Sequence, residues 1–298
     1  MTSEPTDLPE AAERRMTSGA FTSGLSVADF AACLEMGLEP VGFAQGFCAM
    51  QWSPLGSSMS NAMSPYRSTT GGGYSEMFNC PHGFVSNDHR QWGQNYEQTW
   101  YESAWHTGFD AALQRMVEEA TEAGAHGVVG VVDSQQVMGD GYLLEFHLSG
   151  TAVKIPGAPA LQQAPFTTYL AGQRLAKVVE AGYAPVGVVA TLSSVRMWPF
   201  CITEYQLHGS GLSMFATGVS TSEIDQVVRA KSYSRQIARD AAKHALHGDS
   251  LHGARVTTSE RELGQGEIDY HTVIRGNRIR RFQDFKALPV PQPTVRLS

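Results

Sequence analysis

The stretch GAHGVVGVVDSQQVMGDGYLLEFHLSGTAV, Gly124–Val153, decides the fold, because the chain returns to it in SLHGARVTTSERELGQGEIDYHTVIRGNRI, Ser250–Ile279. The two stretches align at a constant spacing of 126 residues, which places His126 on His252. In each of them, two runs that contain β-forming residues flank a short glycine-bearing turn, which is the pattern of a β-hairpin. The sequence therefore predicts a similar hairpin twice.

A second pair of segments extends the repeat toward the start of each copy. FTSGLSVADFAACLEMGLEPVGF (Phe21–Phe43) and FTTYLAGQRLAKVVEAGYAPVGV (Phe166–Val188) are identical at nine of 23 positions, at a spacing of 145 residues. The order of segments is the same in both copies, and the fall in spacing from 145 to 126 leaves 19 extra residues inside the first copy. This pattern indicates an internal duplication with one expanded loop.

Each copy predicts a short helix, a strand, a loop, a long helix and two strands, which together make an α+β fold. In the first copy, Ser26 and Asp29 form a capping pair, and Gly37 can end the short helix. Apolar residues at steps of three and four between Trp105 and Ala120 predict the long helix. The long helix of the second copy is predicted to bury Val227, Val228, Ile237, Ala241 and Leu246.

The length of the chain predicts two domains, because 298 residues allow each copy to bury its own core. The first domain is predicted over residues 17–157, with a long excursion at 51–95, and the second over residues 158–285. Residues 1–16 are predicted to be a disordered tail and residues 286–298 a proline-rich tail. Because loops as long as the excursion usually have a function or form an interface, residues 51–95 are a candidate contact site for a protein partner.

The composition is typical of a soluble globular protein, with 42% hydrophobic and 17% charged residues. No run reaches the ~18 apolar residues that a membrane span needs. The polar start MTSEPTDLPEAAERR lacks the apolar core of a secretory signal, so we expect a cytoplasmic protein that does not bind membranes. Four cysteines are too few and too scattered for a disulfide framework, and we expect all of them to be reduced: Cys33, Cys48, Cys80 and Cys201.

The formal charge divides unevenly along the chain. Residues 1–157 hold six Lys or Arg and 18 Asp or Glu, a net −12, whereas residues 158–298 hold 16 and 11, a net +5. This asymmetry favours head-to-tail contacts between copies, and the alternative is that both surfaces are simply solvated. The basic run with Arg275, Arg278, Arg280 and Arg281 predicts salt bridges toward the acidic first copy, because nucleic-acid binding needs a broader basic surface.

The helix YESAWHTGFDAALQRMVEEATEA and the Gly124–Val153 stretch that follows it resemble the YbjQ-like family, which is labelled a heavy-metal-binding domain. The second copy is degenerate, because it keeps Gly253 but has GNRI in place of GTAV. The resemblance implies two tandem YbjQ-like domains, each an antiparallel sheet packed by one long and one short helix. It also implies rings of five, no established catalytic activity and no fixed set of metal ligands.

A ring would explain the duplication physically. A small sheet with helices on one side leaves an edge and part of a face uncovered, and closing copies around an axis buries both. Five chains would form a homo-oligomer, a pentamer of ten domains. The sequence leaves open whether these domains form two stacked rings or one larger ring.

Three candidate metal ligands, Cys80, His82 and His89, lie within ten residues of one another in NCPHGFVSNDH. Sulfur together with imidazole suits zinc or another late transition metal. The spacing matches no standard zinc pattern, and the chain has no Cys-x-x-Cys pair. Two interpretations are therefore open, a metal site and a loop whose cysteine and histidines pack at an interface.

Two further histidines, His126 and His252, align between the copies at the point where the long helix gives way to a strand. A histidine there can interact with the helix C-terminal dipole and carbonyls. The alternative is a role in ligand binding or pH sensing. The resemblance does not choose between the two, because family members commonly have Asn at this place.

An enzyme is disfavoured, because the sequence contains no triad, paired acid and base, or cofactor fingerprint. Gly124, Gly127 and Gly130 precede a strand instead of opening a helix, so they predict close packing and not a phosphate loop. We therefore expect a non-catalytic, ring-forming assembly protein. The alternative is a metal or small-ligand binding protein, in stress handling as the family label suggests, which uses the cysteine and histidines of the excursion.

Overall fold

The computed structural model describes residues 23–51, 78–80, 83–85, 95–138, 143–159, 164–197, 225–264 and 267–282. Within them, the chain forms two four-stranded sheets, a two-stranded ribbon and four helices. The helices are α1 (Val27–Glu35), α2 (Thr99–Glu122), α3 (Gly172–Glu180) and α4 (Asp225–Ala245). The strands are β1 (Glu39–Gln51), β2 (Phe78–Cys80), β3 (Gly83–Val85), β4 (Asn95–Glu97), β5 (Gly127–Met138), β6 (Leu143–Lys154), β7 (Phe166–Thr167), β8 (Tyr183–Met197), β9 (Ser250–Gly264) and β10 (Glu267–Arg281).

Several predictions fall on residues that the structure does not describe. The tails at 1–16 and 286–298 lie outside the described residues, as do Cys201 and most of the excursion at 51–95. Cys33 and Cys48 are buried free cysteines. No helix in the described part of the chain has the length and apolar composition needed to cross a bilayer.

Three strands of each four-stranded sheet share one order, whereas the fourth strand joins at opposite edges, β7 beside β5 and β4 beside β8. The first runs β1-β6-β5-β7 and the second β4-β8-β10-β9. In each half of the chain, the strand after the short helix pairs with the last strand, which pairs in turn with the strand after the long helix. These ladders are antiparallel as predicted, whereas β7 joins β5 in parallel. The predicted order of helices and strands is confirmed in both halves.

The short helix α1 begins and ends where the sequence predicts. The Ser26 hydroxyl accepts a hydrogen bond from the Asp29 backbone N–H at 3.1 Å and donates one to the Asp29 carboxylate at 2.7 Å. Gly37 follows the helix with a φ of +74°, a left-handed conformation that glycine adopts without strain. The capping signal is therefore confirmed at both ends.

The long helix α2 contacts both sheets. Trp105 and Met116 on this helix are fully buried. Gly46 of β1 allows a close approach, because a Cβ at that position would lie 1.8 Å from the Ala112 carbonyl oxygen. Leu192 of β8 belongs to the same apolar cluster. The long helix of the first half therefore also covers one face of the second sheet.

The long helix α4 covers the opposite face of the second sheet with small residues. Ala230, Ser234 and Ala238 are fully buried, and the Ser193 hydroxyl on β8 donates to the Ser234 carbonyl oxygen at 2.6 Å. The predicted buried face is wrong at Val228, which is 42% exposed. A helix this close to strand hydroxyls accommodates only small side chains at the contact.

The strand register changes the alignment of the two hairpins. Gly130 in β5 and Gly253 in β9 have φ values of +62° and +64°, and each lies where the ladder shifts by a bulge. These bulges fall opposite Gly150 and Gly276, respectively. β5 and β9 therefore correspond at a spacing of 123 residues, from 130 to 253, whereas β6 and β10 correspond at 126, from 150 to 276.

This register corrects the pairing of histidines. At a spacing of 123 residues, His126 corresponds to Asp249 and His252 to Val129, so the alignment of His126 on His252 is wrong. Two changes of length cancel and conceal the shift. At the 126 spacing, the last residue of α2, Glu122, corresponds to residue 248, but α4 ends three residues earlier, at Ala245. β9 is in turn three residues longer than β5, with 15 residues against 12.

Candidate assembly interface and ligand positions

The candidate metal ligands lie mostly outside the described residues. Cys80 ends β2 and pairs with Gly83 of β3 in the two-stranded ribbon. His82 and His89 belong to residues that the structure does not describe. In the part of the chain that it does describe, no group of three or more His, Cys, Asp and Glu side chains could hold a metal ion. The site with Cys80, His82 and His89 stays a prediction.

His126 is buried between the end of α2 and the start of β5. Its Nδ1 accepts a hydrogen bond from the Ile155 backbone N–H at 3.2 Å, and its Nε2 lies 3.1 Å from the Pro159 carbonyl oxygen. The two contacts together need a ring protonated at Nε2. His126 therefore fastens the chain that follows β6 to the first sheet, and neither contact is to a carbonyl of α2.

In the second half, Asp249 occupies the corresponding position. Its carboxylate accepts hydrogen bonds from the Arg280 guanidinium at 2.8 and 3.0 Å, which hold the pKa of Asp249 below its usual range. His252 instead lies in exposed β9 opposite Asn277, whose side-chain amide donates to the His252 carbonyl oxygen at 3.2 Å. The two histidines occupy unlike environments, and a ligand-binding or pH-sensing role for either stays a prediction.

The segment Phe166–Leu170, which we call the second leading segment, joins the two halves of the chain. The Thr168 N–H donates to the Val128 carbonyl oxygen at 3.0 Å, and the Gly130 N–H donates to the Leu170 carbonyl oxygen at 3.0 Å. Thr168 is fully buried. The edge of the first sheet at its bulge is therefore covered by a segment that leads into the second half.

The first leading segment, Ser23–Leu25, is the counterpart of Thr168–Leu170 in the second at the 145 spacing. The Gly24 N–H donates to the Thr151 hydroxyl at 3.1 Å. In the second half, the Asn277 side-chain oxygen accepts from the Thr168 hydroxyl at 2.8 Å. Thr151 and Asn277 correspond at the 126 spacing, so each leading segment is tied to the same position of its own sheet.

The two short helices meet where α3 begins. A Cβ on Gly172 would lie 2.2 Å from the Asp29 Cα, so this contact requires glycine. Cys33 of α1 and Leu175 of α3 belong to one buried apolar cluster. The short helices therefore form a second part of the junction between the halves.

A buried polar cluster connects the start of α2 to the second sheet. The Glu102 side chain accepts from the Ser194 N–H at 2.6 Å. The Gln98 amide donates to Asp269 at 2.8 Å and accepts from the Ser194 hydroxyl at 3.1 Å. Asp269 is paired with the Arg196 guanidinium at 2.6 and 2.9 Å. Such a network, with members from both halves, fixes the position of α2 on β8.

Burial shifts the pKa values of two groups in and beside this polar cluster. Desolvation raises the pKa of Glu102 to about 8, and the neighbouring Glu97 carboxyl acts in the same direction. Burial also lowers the pKa of His271, whose ring centroid lies 5.0 Å from that of Tyr101. At neutral pH, Glu102 therefore retains its proton and His271 is uncharged.

No local pattern in the sequence predicts this polar cluster. Its members are far apart in the chain, and Gln98 and Glu102 lie at a helix start, where polar side chains usually face solvent. One usable signal was Asp269, a carboxylate within a strand pattern that otherwise reads as buried. Arg275 forms an ion pair with Asp133 of the first half, as the sequence predicts, whereas Arg278 and Arg280 pair with Asp249 of the second half.

On the outer face of the first sheet, the first leading segment and the short helices cover Val129, Thr151 and Val153, whereas among the described residues the part around Phe47 stays exposed. An open depression of about 330 Å³ lies on it, lined by Phe47, Ser134, Gln136, Glu145 and His147. Phe47 is 48% exposed. This face is opposite to the one that packs on α2, because neighbouring residues of a strand point to opposite sides.

The second half presents an exposed helix face and an exposed strand. Val228 and Tyr233 on α4 are 42% and 40% exposed, and Arg235 and Arg239 are exposed on the same helix. β9 is the edge strand of the second sheet, and residues 252–257 are exposed without interruption. An edge strand of this kind is a template for pairing with another chain.

Two comparisons with known proteins bear on this geometry. Residues 95–156 match the YbjQ family model, which is described as "Putative heavy-metal-binding". The match spans β4, α2, β5 and β6, and it confirms the resemblance of the first copy to this family. The chain is also 29% identical over 282 residues to an encapsulin nanocompartment protein of Mycobacterium tuberculosis, covering 92% of this chain and 91% of that protein.

Proposed function

We propose that the protein is a non-catalytic, self-assembling protein built of two tandem YbjQ-like domains, over residues 17–157 and 158–285. The common order of the three corresponding strands, β1-β6-β5 and β8-β10-β9, supports the duplication. The matching ties of the two leading segments to Thr151 and Asn277 support it independently. Contact with a protein partner through residues 51–95 is a further part of this proposal.

The observation that carries the assembly proposal is the exposed edge of the second sheet. β9 has 15 residues, and its bulge at Gly253 is exposed, whereas the corresponding bulge of β5 is covered by the second leading segment. An edge that the described residues cover in one half and leave exposed in the other is suited to cover by a further copy. The relative named as a nanocompartment protein supports self-association.

The proposed assembly is a ring of five chains. The acidic first half and the basic second half, with net charges of −12 and +5, favour contact between unlike halves of neighbouring copies. Light scattering on the purified full chain tests this proposal. Five chains of 32.3 kDa give a particle of about 160 kDa. A particle of 32.3 kDa at every concentration would overturn self-assembly, and another multiple would overturn only the number five.

Metal binding by Cys80, His82 and His89 is a second candidate function. The β2–β3 ribbon favours it, because Cys80 adjoins the two-residue connection that contains His82. Thiolate and imidazole together suit zinc or another late transition metal. The description of the matching family model points in the same direction.

Elemental analysis of the native protein tests this candidate. We expect bound metal in the wild type and its loss in both Cys80→Ser and His82→Ala. The matched control is His252→Ala, which changes an exposed histidine elsewhere and is expected to retain the metal. Absence of metal from the wild type, or full retention in both ligand variants, would contradict metal binding at this site.

A further inference from the structure

We propose that the junction between the two halves of one chain is repeated between chains. In this arrangement, α4 of one copy packs on the outer face of the first sheet of a second copy. β9 of the first copy pairs with the first leading segment, Ser23–Leu25, of that second copy. The inference rests on the proposed self-assembly and deepens it, because it names the two surfaces that meet. Its basis is the set of correspondences between the halves.

Besides the contact of the short helices and the pairing of β4 with β8, two parts of the junction within the chain bear on a contact between copies. The second leading segment adds to the edge of β5, and α2 covers the face of the second sheet that bears Leu192. Each part pairs a surface of the first half with a different surface of the second half. The two surfaces that the first half contributes, the edge of β5 and α2, have counterparts in the second half, β9 and α4.

At the strand edge, individual backbone N–H groups of β5 have counterparts in β9. The Gly130 and Val131 N–H groups donate to the second leading segment at 3.0 and 2.9 Å. At the 123 spacing, their counterparts are the N–H groups of Gly253 and Ala254, and both residues are exposed. The sheet edge of the second half therefore offers the same donors, and no segment within the described residues covers them as in the first half.

The first leading segment is prepared to fill this position. Its tie to Thr151 fixes it on its own sheet, as Asn277 fixes the second leading segment. Leu170 is only 7% exposed in the junction, whereas its counterpart Leu25 is half-buried. Pairing of Ser23–Leu25 with a neighbouring β9 would bury Leu25 as Leu170 is buried.

At the sheet face, the correspondence gives a second and independent contact. Phe47 pairs with His147 in the first sheet, and Leu192 pairs with Val273 in the second, so Phe47 corresponds to Leu192 at the 145 spacing. Leu192 is 2% exposed under α2, whereas Phe47 is 48% exposed. Within the described residues, no helix therefore covers the outer face of the first sheet around Phe47 as α2 covers Leu192.

The side chains of α4 are suited to the outer face of the first sheet of a second copy. At the 126 spacing, Val228 of α4 corresponds to Glu102, which contacts β8 inside the chain. Arg235 and Arg239 are exposed on α4, and Glu145 lines the depression on the outer face. This is a complementary arrangement of charge between a basic helix and a sheet in the acidic half.

The two surfaces differ, so the contact is heterologous and runs head to tail, and it closes into a ring if the rotation per copy allows. A head-to-tail contact makes a specific prediction about mixtures. Phe47→Glu disrupts the outer face of the first sheet and leaves α4 intact. Val228→Glu disrupts α4 and leaves the outer face intact. Both side chains are substantially exposed, so each variant is expected to fold, which circular dichroism can establish.

We expect each variant alone to be a monomer of 32.3 kDa, and an equimolar mixture to form a dimer of about 65 kDa and nothing larger. In the mixture, the intact α4 of one variant meets the intact face of the other, and both free ends are blocked. The matched control is Phe282→Glu, which charges another exposed aromatic position and is expected to assemble as the wild type does.

The inference is overturned if either variant assembles like the wild type, if the mixture stays monomeric, or if it grows beyond a dimer. A monomeric wild type overturns the proposed function itself, so the two failures are distinguishable.

Discussion

At the scale of single residues, the two halves use different side chains at the same position, just before β5 and at the corresponding place before β9. His126 holds the chain after β6 through the Ile155 N–H and the Pro159 carbonyl oxygen. Asp249 holds the end of β10 through the Arg280 guanidinium. A sequence alignment pairs His126 with His252 and does not reveal that Asp249 takes the place of His126. Only the strand register identifies which residues occupy the same position.

The structural role of His126 can be tested by truncation. His126→Ala leaves the Ile155 N–H without its partner, and we expect a loss of about 1–3 kcal/mol in the free energy of unfolding. The control His252→Ala changes an exposed side chain, and we expect a change within about 0.5 kcal/mol. Urea denaturation measures both, and equal effects of the two substitutions would contradict the role of His126 described above.

The pKa shifts in and beside the polar cluster make stability depend on pH in two opposite directions. Glu102 has a pKa raised from 4.5 to about 8, so its contribution to stability is complete below about pH 4.5 and is lost as the pH rises toward 8. His271 has a pKa lowered from 6.5, so its contribution is present above pH 6.5 and is lost as the pH falls. The groups around them are Glu97, Asp269 and two arginines, Arg196 and Arg261.

Glu102→Gln separates these two effects. The amide can still accept a hydrogen bond from the Ser194 N–H, but it cannot lose a proton. We therefore expect the stability of the variant relative to the wild type to increase steadily from about pH 5 to about pH 8. Urea midpoints measured across this range check the prediction, and a difference that does not change with pH would refute it.

At the scale of elements, local signals in the sequence predicted the helices and strands well. The Ser26 cap and the spacing from Trp105 to Ala120 specify α1 and α2, because both signals act within a few residues. The face of α4 was not predictable in this way. Ser234 lies on the buried face because its hydroxyl meets Ser193 and Thr272, contacts with other elements that periodicity does not report.

Gly46 illustrates a contact between elements that one residue controls. Gly46→Ala would place a Cβ 1.8 Å from the Ala112 carbonyl oxygen, so α2 must move away from β1. We expect a loss of about 3 kcal/mol or more in the free energy of unfolding. Gly42→Ala on the same strand is the matched control, since nothing lies within 4 Å of the added Cβ.

Denaturant unfolding compares the two glycine variants directly. We expect Gly42→Ala to differ from the wild type by no more than about 0.5 kcal/mol. A similarly small effect of Gly46→Ala would show that α2 does not approach β1 as closely as described.

At the scale of the whole molecule, the repeat in the sequence predicted two similar sets of elements but not how they join. The cluster of Gln98, Glu102 and Asp269 depends on contacts over 92 and 171 residues, and the parallel pairing of β7 with β5 depends on contacts across the link between the repeats. No local pattern encodes such contacts. The repeat in the sequence becomes informative once the described residues show which surfaces are covered in one half and exposed in the other.

The parallel addition of Phe166–Leu170 to β5 also has a consequence for synthesis on the ribosome. Val131 emerges 39 residues before Leu170, so the sheet edge around Gly130 stays unfinished for about 2–8 s at typical translation rates. During that interval, neighbouring nascent chains on the same messenger expose matching edges and segments. Faithful folding therefore depends on each polypeptide capturing its own downstream segment before a neighbour supplies one.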